Sequence, residues 1–327
     1  MVTRCRAFLL ALALTGMPFF SAIAAEPDHL RLGLVKFGSG AWEIDTLRAN
    51  GLDQAAGVAF DTVDLANPAA GEVALQAGGV DAIITDWLWV SRQRRAGHKI
   101  VFIPHSSALG EIVVPGSSPI HGLAALEGHR LGIAGGPLDK SWLLVRAYSR
   151  RLLGHDLADH VEVVYGAPPL LSQELAAEHV DAVLTFWPFA ARAEADGQRI
   201  VVTLDQVLSD LGFTTPVPFV GYVFSAAWAA QHAGALQRFL AATDAARHTL
   251  DHDDAAWDSL QAISGAKTPA QLAALRRWYR AGHPTAWTSK DIAAAGRVYE
   301  LLDSIGGPGL VGKSKHIVEG TFWRAPA

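Results

Sequence analysis

Short apolar runs recur along the chain, and each precedes a stretch in which apolar residues return every three or four positions. Residues 30–35 and 130–134 are such runs, and both lead into glycine-containing loops. This pattern indicates buried strands followed by helices. Four further runs predict strands in the same way: 81–85, 99–103, 181–185 and 199–203. Because strands alternate with helices, we expect an α/β fold with parallel sheets covered on both faces.

Two parts of this pattern occur twice. Residues 80–87 (VDAIITDW) resemble residues 180–187 (VDAVLTFW), and residues 31–34 (RLGL) resemble residues 130–133 (RLGI). A tryptophan follows each copy of the second motif, at Trp42 and Trp142. Two copies are too few for a solenoid. The repeat therefore predicts two similar α/β lobes.

The segments outside the repeat complete this two-lobed prediction. Residues 105–110 and 216–225 are expected to cross between the lobes. The chain beyond them is predicted to be helical at 226–250, 255–263, 268–280 and 289–305, and to cover the first lobe. We assign residues 26–107 plus 222–327 to lobe 1 and residues 108–221 to lobe 2.

The N-terminus has the pattern of a secretory signal peptide. Arg4 and Arg6 precede an apolar run at residues 7–23, and Ala22 and Ala24 fit a small-residue cleavage site. We expect a signal peptide over residues 1–25, cleavage near Ala24 or Ala25, and a periplasmic location. The alternative is a buried N-terminal helix, but such a helix would show a polar face.

Composition narrows the possible functions. The only cysteine, Cys5, lies in the predicted signal, which excludes disulfides, a cysteine nucleophile and a thiolate metal site from the exported part. That part holds 25 basic and 32 acidic residues, a formal charge of −7, which argues against nucleic-acid binding. The H-E-x-x-H, G-x-S-x-G, P-loop and G-x-G-x-x-G motifs are absent. We expect no catalytic residue and no cofactor.

Ligands of open α/β sheets bind at the carboxyl ends of the strands. Four predicted loops lie there: 38–42, 86–89, 135–142 and 186–189. Two of them are glycine-rich and lead into helix N-termini, which can hold an anionic or hydrogen-bond-accepting group. Indole rings on these loops can stack on a planar solute, and they are those of Trp42, Trp87, Trp89, Trp142 and Trp187. For Trp87 and Trp187, structural packing is an equal alternative.

Charged residues near these loops give the remaining candidates. Asp86 directly follows a strand and ranks first as an acidic ligand contact, because a carboxylate there favours an amine, an amidine or a ring N–H. Asp139 is expected first of all to cap its helix, with Lys140 beside it. Glu43 could join both aspartates to hold a hard metal ion. His105 is the histidine expected nearest the cleft.

The predicted signal, the repeated V-D-A-hydrophobic-hydrophobic-T element and the two crossing segments together resemble the substrate-binding proteins of ABC importers. The most similar subgroup is the nitrate, sulfonate and taurine type, which includes NMT1-like receptors for thiamine-precursor pyrimidines. The resemblance implies a periplasmic-binding-protein-like clamshell: two α/β lobes, a ligand cleft between them, and C-terminal helices on lobe 1. It also implies a monomer that delivers a small molecule to an inner-membrane permease. The implied ligand contacts are Ser39, Gly40, Trp42, Asp86, Trp87, Ser106, Ser107, Gly136, Asp139, Lys140, Trp142, Trp187 and Tyr222.

One loop departs from this family's pattern. Sulfonate-type receptors often carry Gly-Ser-Thr-like loops at both helix starts, whereas residues 135–140 read GGPLDK here. The proline and the acid disfavour a simple anion, and the tryptophans with Asp86 favour a planar or nitrogen-containing organic solute. A sulfonate- or nitrate-type anion, a metal or metal chelate, and a lyase or isomerase on the same fold are the alternatives.

Overall fold

The computed structural model of the chain describes residues 29–36, 38–215, 217–282 and 288–324. The predicted signal at residues 1–25 lies outside these ranges, and so does Trp287. Within the described ranges, every helix is too short or too polar to cross a lipid bilayer.

Strands of the described residues form two five-stranded sheets. In chain order they are β1 (His29–Val35), β2 (Ala59–Leu65), β3 (Ala82–Asp86), β4 (Ile100–Ser106), β5 (Gly110–Val114), β6 (Arg130–Ala134), β7 (Glu162–Gly166), β8 (Ala182–Phe186), β9 (Arg199–Thr203) and β10 (Val220–Ser225). The first sheet has the order β2-β1-β3-β10-β4 and the second the order β7-β6-β8-β5-β9. The repeated motifs occupy equivalent strands, β1 and β3 in one sheet and β6 and β8 in the other, which confirms two similar α/β halves.

Helices fill the connections and the C-terminal part of the chain. They are α1 (Ser39–Ala49), α2 (Leu52–Ala56), α3 (Pro68–Gln76), α4 (Trp87–Arg95), α5 (Lys140–Leu153), α6 (Pro168–Ala176), α7 (Trp187–Ala195), α8 (Leu204–Asp210), α9 (Ala226–Gln231), α10 (Ala233–His252), α11 (Ala256–Ser264), α12 (Pro269–Ala281) and α13 (Ser289–Val311). Below, the first half means the first sheet with α1–α4, and the second half means the second sheet with α5–α8.

The expectation of purely parallel sheets is wrong. In the first sheet β10 runs antiparallel to β3 and β4, and in the second sheet β5 runs antiparallel to β8 and β9. A parallel neighbour requires a crossover connection within the same sheet, usually through a helix. Both β5 and β10 instead enter their sheet directly from the other half, so they are free to run in the opposite direction.

One segment predicted to cross between the halves belongs to a sheet. Most of residues 216–225 form β10, which lies between β3 and β4, so Tyr222 is in the middle of the first sheet. The first sheet takes its strands from residues 29–106 and 220–225, and the second from residues 110–203. The exact limits of the two lobes stay a prediction.

The C-terminal helices contact both halves. Helices α10 and α11 pack on α1, as expected for a tail that covers the first half. Helix α12 packs on α7 of the second half, and α13 lies against both α4 and α5. Val298 and Leu302 of α13 share one apolar core with Leu88 of the first half and Leu143 of the second. The tail therefore connects the halves in addition to covering one of them.

Candidate functional site

Two helices that begin at strand carboxyl ends are capped by aspartates. Asp86 precedes α4, and its Oδ1 accepts the backbone N–H of Trp89 at 2.8 Å. Asp139 precedes α5, and its Oδ1 accepts the N–H groups of Ser141 at 2.9 Å and Trp142 at 3.3 Å. The expected capping role of Asp139 is thus present. Because a carboxylate already occupies each of these helix starts, neither is well suited to a second anion.

The other two predicted ligand loops lead into α1 and α7, and these helix starts lack a capping side chain. Gly38 precedes α1 and Phe186 precedes α7, and neither cap position makes a side-chain hydrogen bond to its helix. A proline in the first turn of α7 removes one N–H donor there. In α1, a side chain at Gly40 would collide with Ile84 of β3, so glycine lets the helix start lie close against the sheet. Helix α1 therefore offers the more open N–H group, beside Ser39.

Acidic groups from the two halves interact where the halves meet. Burial raises the pKa of Asp139, and Asp86 of the other half raises it further, while Lys140 opposes both. The Lys140 ammonium lies 3.9 Å from Asp139 Oδ2. Since charge interactions of this kind require proximity, the predicted contacts Asp86, Asp139 and Lys140 lie together where the halves meet.

Glu72 of α3 belongs to the same cluster. Its Oε1 accepts a hydrogen bond from the Thr85 hydroxyl at 3.0 Å. Burial raises the pKa of Glu72 to about 7, and the neighbouring charge of Asp86 adds to the shift, while Thr85, Arg92 and Lys140 oppose it. Glu72 is therefore partly protonated near neutral pH. Sequence reasoning missed Glu72 because it lies inside a helix of mostly small apolar residues, at a distance along the chain from its neighbours Thr85, Asp86 and Lys140.

Trp42 and Trp187 connect the halves through an aromatic contact. Their ring centroids lie 5.5 Å apart at an interplanar angle of 83°, an edge-to-face geometry. Trp257 and Tyr279 of the C-terminal helices complete the cluster, at 5.9 Å and 6.3 Å from Trp42. Trp42 is fully buried, and its indole N–H has no hydrogen-bond partner among the described residues. This leaves one buried donor at the contact between the halves.

The remaining tryptophan candidates are enclosed by protein. Trp87 stacks on Phe219 at 5.6 Å and on Tyr299 at 6.4 Å, and both Trp87 and Trp142 belong to the apolar core. The structure therefore gives each of these two indoles a packing role. A ligand contact by either one stays a prediction.

Ser106, the last residue of β4, and Ser107, which follows it, contact the end of α12. The Ser107 N–H and hydroxyl both donate to the Gly282 carbonyl at 3.0 Å, and the Ser106 hydroxyl donates to the same oxygen at 3.4 Å. They hold the end of α12 against the connection between the sheets. Gly136, in the loop before α5, has open space at the position of a side chain. Gly136 is half-buried, and a ligand contact by it stays a prediction.

A buried charged network joins the first half to the C-terminal helices α10 and α12. The Tyr279 hydroxyl donates to Glu43 Oε1 at 2.6 Å, and the Arg247 Nε lies 3.6 Å from the same oxygen. His105 Nδ1 lies 3.1 Å from the Arg247 guanidinium, and Tyr222 packs on the His105 ring. Burial, with a contribution from Arg247, lowers the pKa of His105 to about 3. His105 is therefore a neutral acceptor in this network and not a cleft-lining base.

The metal set suggested from sequence is not assembled. Glu43 is held in the network with Tyr279 and Arg247, whereas Asp86 and Asp139 cap helices where the halves meet. Among the described residues, the group whose ligand atoms lie within 4.8 Å of one another contains none of these three.

Two α/β halves, each built on its own five-stranded sheet, define a class, that of the periplasmic-binding-protein-like two-lobe fold. The chain belongs to the NMT1/THI5-like family, whose match covers residues 48–256. This confirms the resemblance to the NMT1-like subgroup. A comparison with curated protein sequences finds no significant match.

Solved structures share this fold at low sequence identity. The alkanesulfonate-binding protein SsuA of Xanthomonas axonopodis pv. citri, bound to MOPS, is 20% identical with a TM-score of 0.74 over 92% of this chain and 100% of that one. The periplasmic aliphatic sulphonate-binding protein SsuA of Escherichia coli is 20% identical with a TM-score of 0.70 over 92% and 93%. A zinc-bound ligand-binding component of an ABC-type import system from Staphylococcus aureus is 14% identical with a TM-score of 0.66 over 90% and 96%.

Proposed function

We propose that this chain is the exported solute-binding component of an ABC importer and that it binds a small organic solute between its two halves. The observation that carries the proposal is the meeting of Asp86 with Asp139 and Lys140, at helix starts of opposite halves. Charged groups placed on both sides of a gap can contact one ligand at once. Such a ligand stabilises the closed arrangement because it binds that arrangement better than an open one.

The charges indicate the chemistry of the solute. Asp86, Asp139 and the partly protonated Glu72 form an acidic cluster, which favours a solute with an amine, an amidine or a ring N–H. The uncapped start of α1 at Ser39 and Gly40 offers N–H donors to a hydrogen-bond-accepting group. The buried Trp42 indole N–H is a further donor. A planar, nitrogen-containing solute with an acceptor at its other end fits this arrangement.

A sulfonate- or nitrate-type anion is the main alternative. The family neighbours named for sulfonates support it, and the N-terminus of α1 is suited to an anion. The two aspartate-capped helix starts oppose it, because a second negative charge close to Asp86 and Asp139 is repelled. The two alternatives therefore differ in the sign of the effect that the aspartates have on affinity.

The cellular role follows from the same proposal. An apolar N-terminal segment with a small-residue cleavage site directs export to the periplasm, where solute receptors of importers act. The partner of the loaded protein is then the inner-membrane permease, and the protein acts as a monomer without chemical turnover. The remaining alternative functions, a metal-chelate receptor and a lyase or isomerase, are distinguished by the test below.

The test is a solute screen read by thermal shift and confirmed by calorimetry. The panel contains pyrimidines and amidines, aliphatic sulfonates with nitrate, and metal chelates. We expect a nitrogen-containing solute to bind, and Asp86→Asn to weaken it about tenfold or more, because a charge-assisted hydrogen bond is lost while the cap is kept. Asp64→Asn, which changes an exposed aspartate paired with Lys36, is the matched control.

Other results would redirect the proposal. Tighter binding of a sulfonate to the Asp86→Asn variant than to the wild type would establish the anion alternative. A product in the mass spectrum of the incubated solute, formed by the wild type and not by Asp86→Ala, would establish an enzyme. Failure of every solute class to shift the melting temperature would contradict the receptor proposal.

A further inference from the structure

Two histidines and a glutamate come together at one end of the second half, far from the helix starts described above. Glu127 precedes β6, and His155 and His160 lie on either side of the turn that precedes β7. Their ligand atoms all lie within 4.8 Å of one another. The cluster therefore lies where β6 and β7 begin, whereas Asp86 and Asp139 lie where β3 and β6 end.

The three side chains already contact one another. His155 Nε2 lies 2.9 Å from Glu127 Oε1. The His155 and His160 rings have centroids 4.0 Å apart at an angle of 50°. Two imidazoles this close repel each other when both are protonated, whereas a shared cation turns their proximity into an attraction. The acceptor nitrogens of neutral imidazoles and a carboxylate oxygen are the donor set that divalent transition metals prefer.

The backbone holds the three residues in place. The Gly128 N–H donates to the His160 carbonyl at 2.8 Å, which ties the Glu127 segment to the histidine turn. Within the turn, Asp156 Oδ1 accepts the Ala158 N–H at 3.0 Å. The position of the ligands is thus set by the fold before any ion arrives.

The next residues along the turn anchor it to α5. The Asp156 carboxylate binds Arg146 at 2.7 Å and Arg150 at 2.8 Å, and the Leu157 N–H donates to the Ser149 hydroxyl at 2.9 Å. Leu157 itself is fully buried. Because the turn is fixed at its middle, His155 and His160 cannot separate widely. Preorganisation of this kind lowers the entropic cost of gathering metal ligands.

We propose that Glu127, His155 and His160 bind a divalent transition-metal ion of the zinc type. Tetrahedral zinc with bonds of about 2.0–2.1 Å requires its ligand atoms about 3.3 Å apart. Side-chain rotations of the partly exposed residues bring the observed separations to that value, and the ion replaces the His155–Glu127 hydrogen bond. Three protein ligands leave the fourth position to water. The ion would join the segment before β6 to the turn before β7.

The test uses the purified protein without a histidine tag, stripped with EDTA and titrated with ZnCl₂ by calorimetry. We expect one zinc ion per chain, and visible absorption bands of tetrahedral cobalt when CoCl₂ replaces zinc. His160→Ala and Glu127→Gln should each weaken zinc binding by about a hundredfold or more, since even outer-sphere substitutions at metal sites cost about 10–100-fold. Circular dichroism checks that each variant is folded.

The matched control is His248→Ala. His248 and His252 stack at 4.2 Å and provide two exposed imidazoles on one face of α10. We expect this variant to bind zinc as the wild type does. Zinc binding that survives both His160→Ala and Glu127→Gln, or that His248→Ala abolishes, would overturn the proposal. Absence of binding to the wild type at micromolar zinc would overturn it as well.

Discussion

Trp42 of the first half and Trp187 of the second half meet edge to face, with ring centroids 5.5 Å apart. Trp187 occupies the same place in its motif as Trp87, yet Trp87 stacks on Phe219 and Tyr299 within the apolar core. The repeat has therefore produced two equivalent positions with different roles. Each of the two tryptophans also lies near a tyrosine of the C-terminal helices, Trp187 near Tyr279 and Trp87 near Tyr299, so the contact with Trp42 is what sets Trp187 apart.

This contact predicts the effect of removing one indole. Trp187→Ala should favour a more open arrangement of the halves, because it deletes aromatic packing worth about 0.5–1.5 kcal/mol beyond the buried area. The measurement is the radius of gyration by small-angle X-ray scattering, which should increase. Trp228→Ala is the control, since Trp228 stacks on Phe224 within the first half. An unchanged radius for Trp187→Ala would show that α12 and α13 alone hold the halves together.

The acidic cluster predicts a coupled titration. Asp86→Asn should lower the pKa of Glu72 from about 7, because it removes a neighbouring negative charge while the amide still caps α4. The measurement is a pH titration of the glutamate carboxyl carbons by NMR. Asp64→Asn, on the exposed end of β2, should leave the Glu72 titration unchanged. The cluster would be wrongly placed if Asp86→Asn left that titration unchanged too.

The sequence predicts β3, β6, β8 and the edge strand β9 well because each contains a short apolar run. The bounds of β6 and β9 agree with the predictions, and β3 and β8 differ from them by one residue at each end. The edge strands β2 and β7 were not predicted. Buried positions of β2 follow no regular spacing and β7 has none, so neither strand shows a clear periodicity.

The candidate site shows the same division between local and non-local information. Capping by Asp139 could be predicted because a cap bonds to residues two or three positions along the chain. Glu72 and Arg247 could not, since their partners lie 13 residues away in the first case and 142 in the second. His105 was expected near the cleft, yet it is buried beside the guanidinium of Arg247 from α10.

The buried network predicts strong coupling between Glu43 and Arg247. Arg247→Met should destabilise the protein by about 3–5 kcal/mol, because the change removes a cation from beside a buried carboxylate. The double variant Glu43→Gln with Arg247→Met should lose less than the sum of the two single variants. Urea unfolding measures these free energies. Arg48→Met, at an exposed arginine over Phe60, is the control and should cost less than about 1 kcal/mol. Additive losses would contradict the coupling.

Glu111 of β5 predicts how stability changes with pH. Its side chain is buried in the second half, and its Oε2 accepts the Leu204 N–H at 3.0 Å at the start of α8. Burial raises the pKa of Glu111 to about 9; the Leu204 N–H opposes the shift and Asp205 adds to it. The folded protein therefore keeps a proton on Glu111 that the unfolded chain releases above the ordinary glutamate pKa of 4.5.

Folding is consequently favoured by this group at low pH and loses that contribution as the pH rises towards 9. The loss is at most about 1.4 kcal/mol per pH unit. Glu111→Gln removes the titratable proton and keeps an oxygen that accepts the Leu204 N–H. The free energy of unfolding of this variant should therefore decline less than that of the wild type between pH 5.5 and 8.5. This is roughly the range in which the folded and unfolded states differ in protons bound. Glu162→Gln, at an exposed position of β7, should decline as the wild type does. If the free energy of unfolding changed equally with pH in the wild type and in Glu111→Gln, Glu111 would be ionised in the folded protein. A counter-charge or a water molecule would then stabilise its carboxylate in addition to the Leu204 N–H.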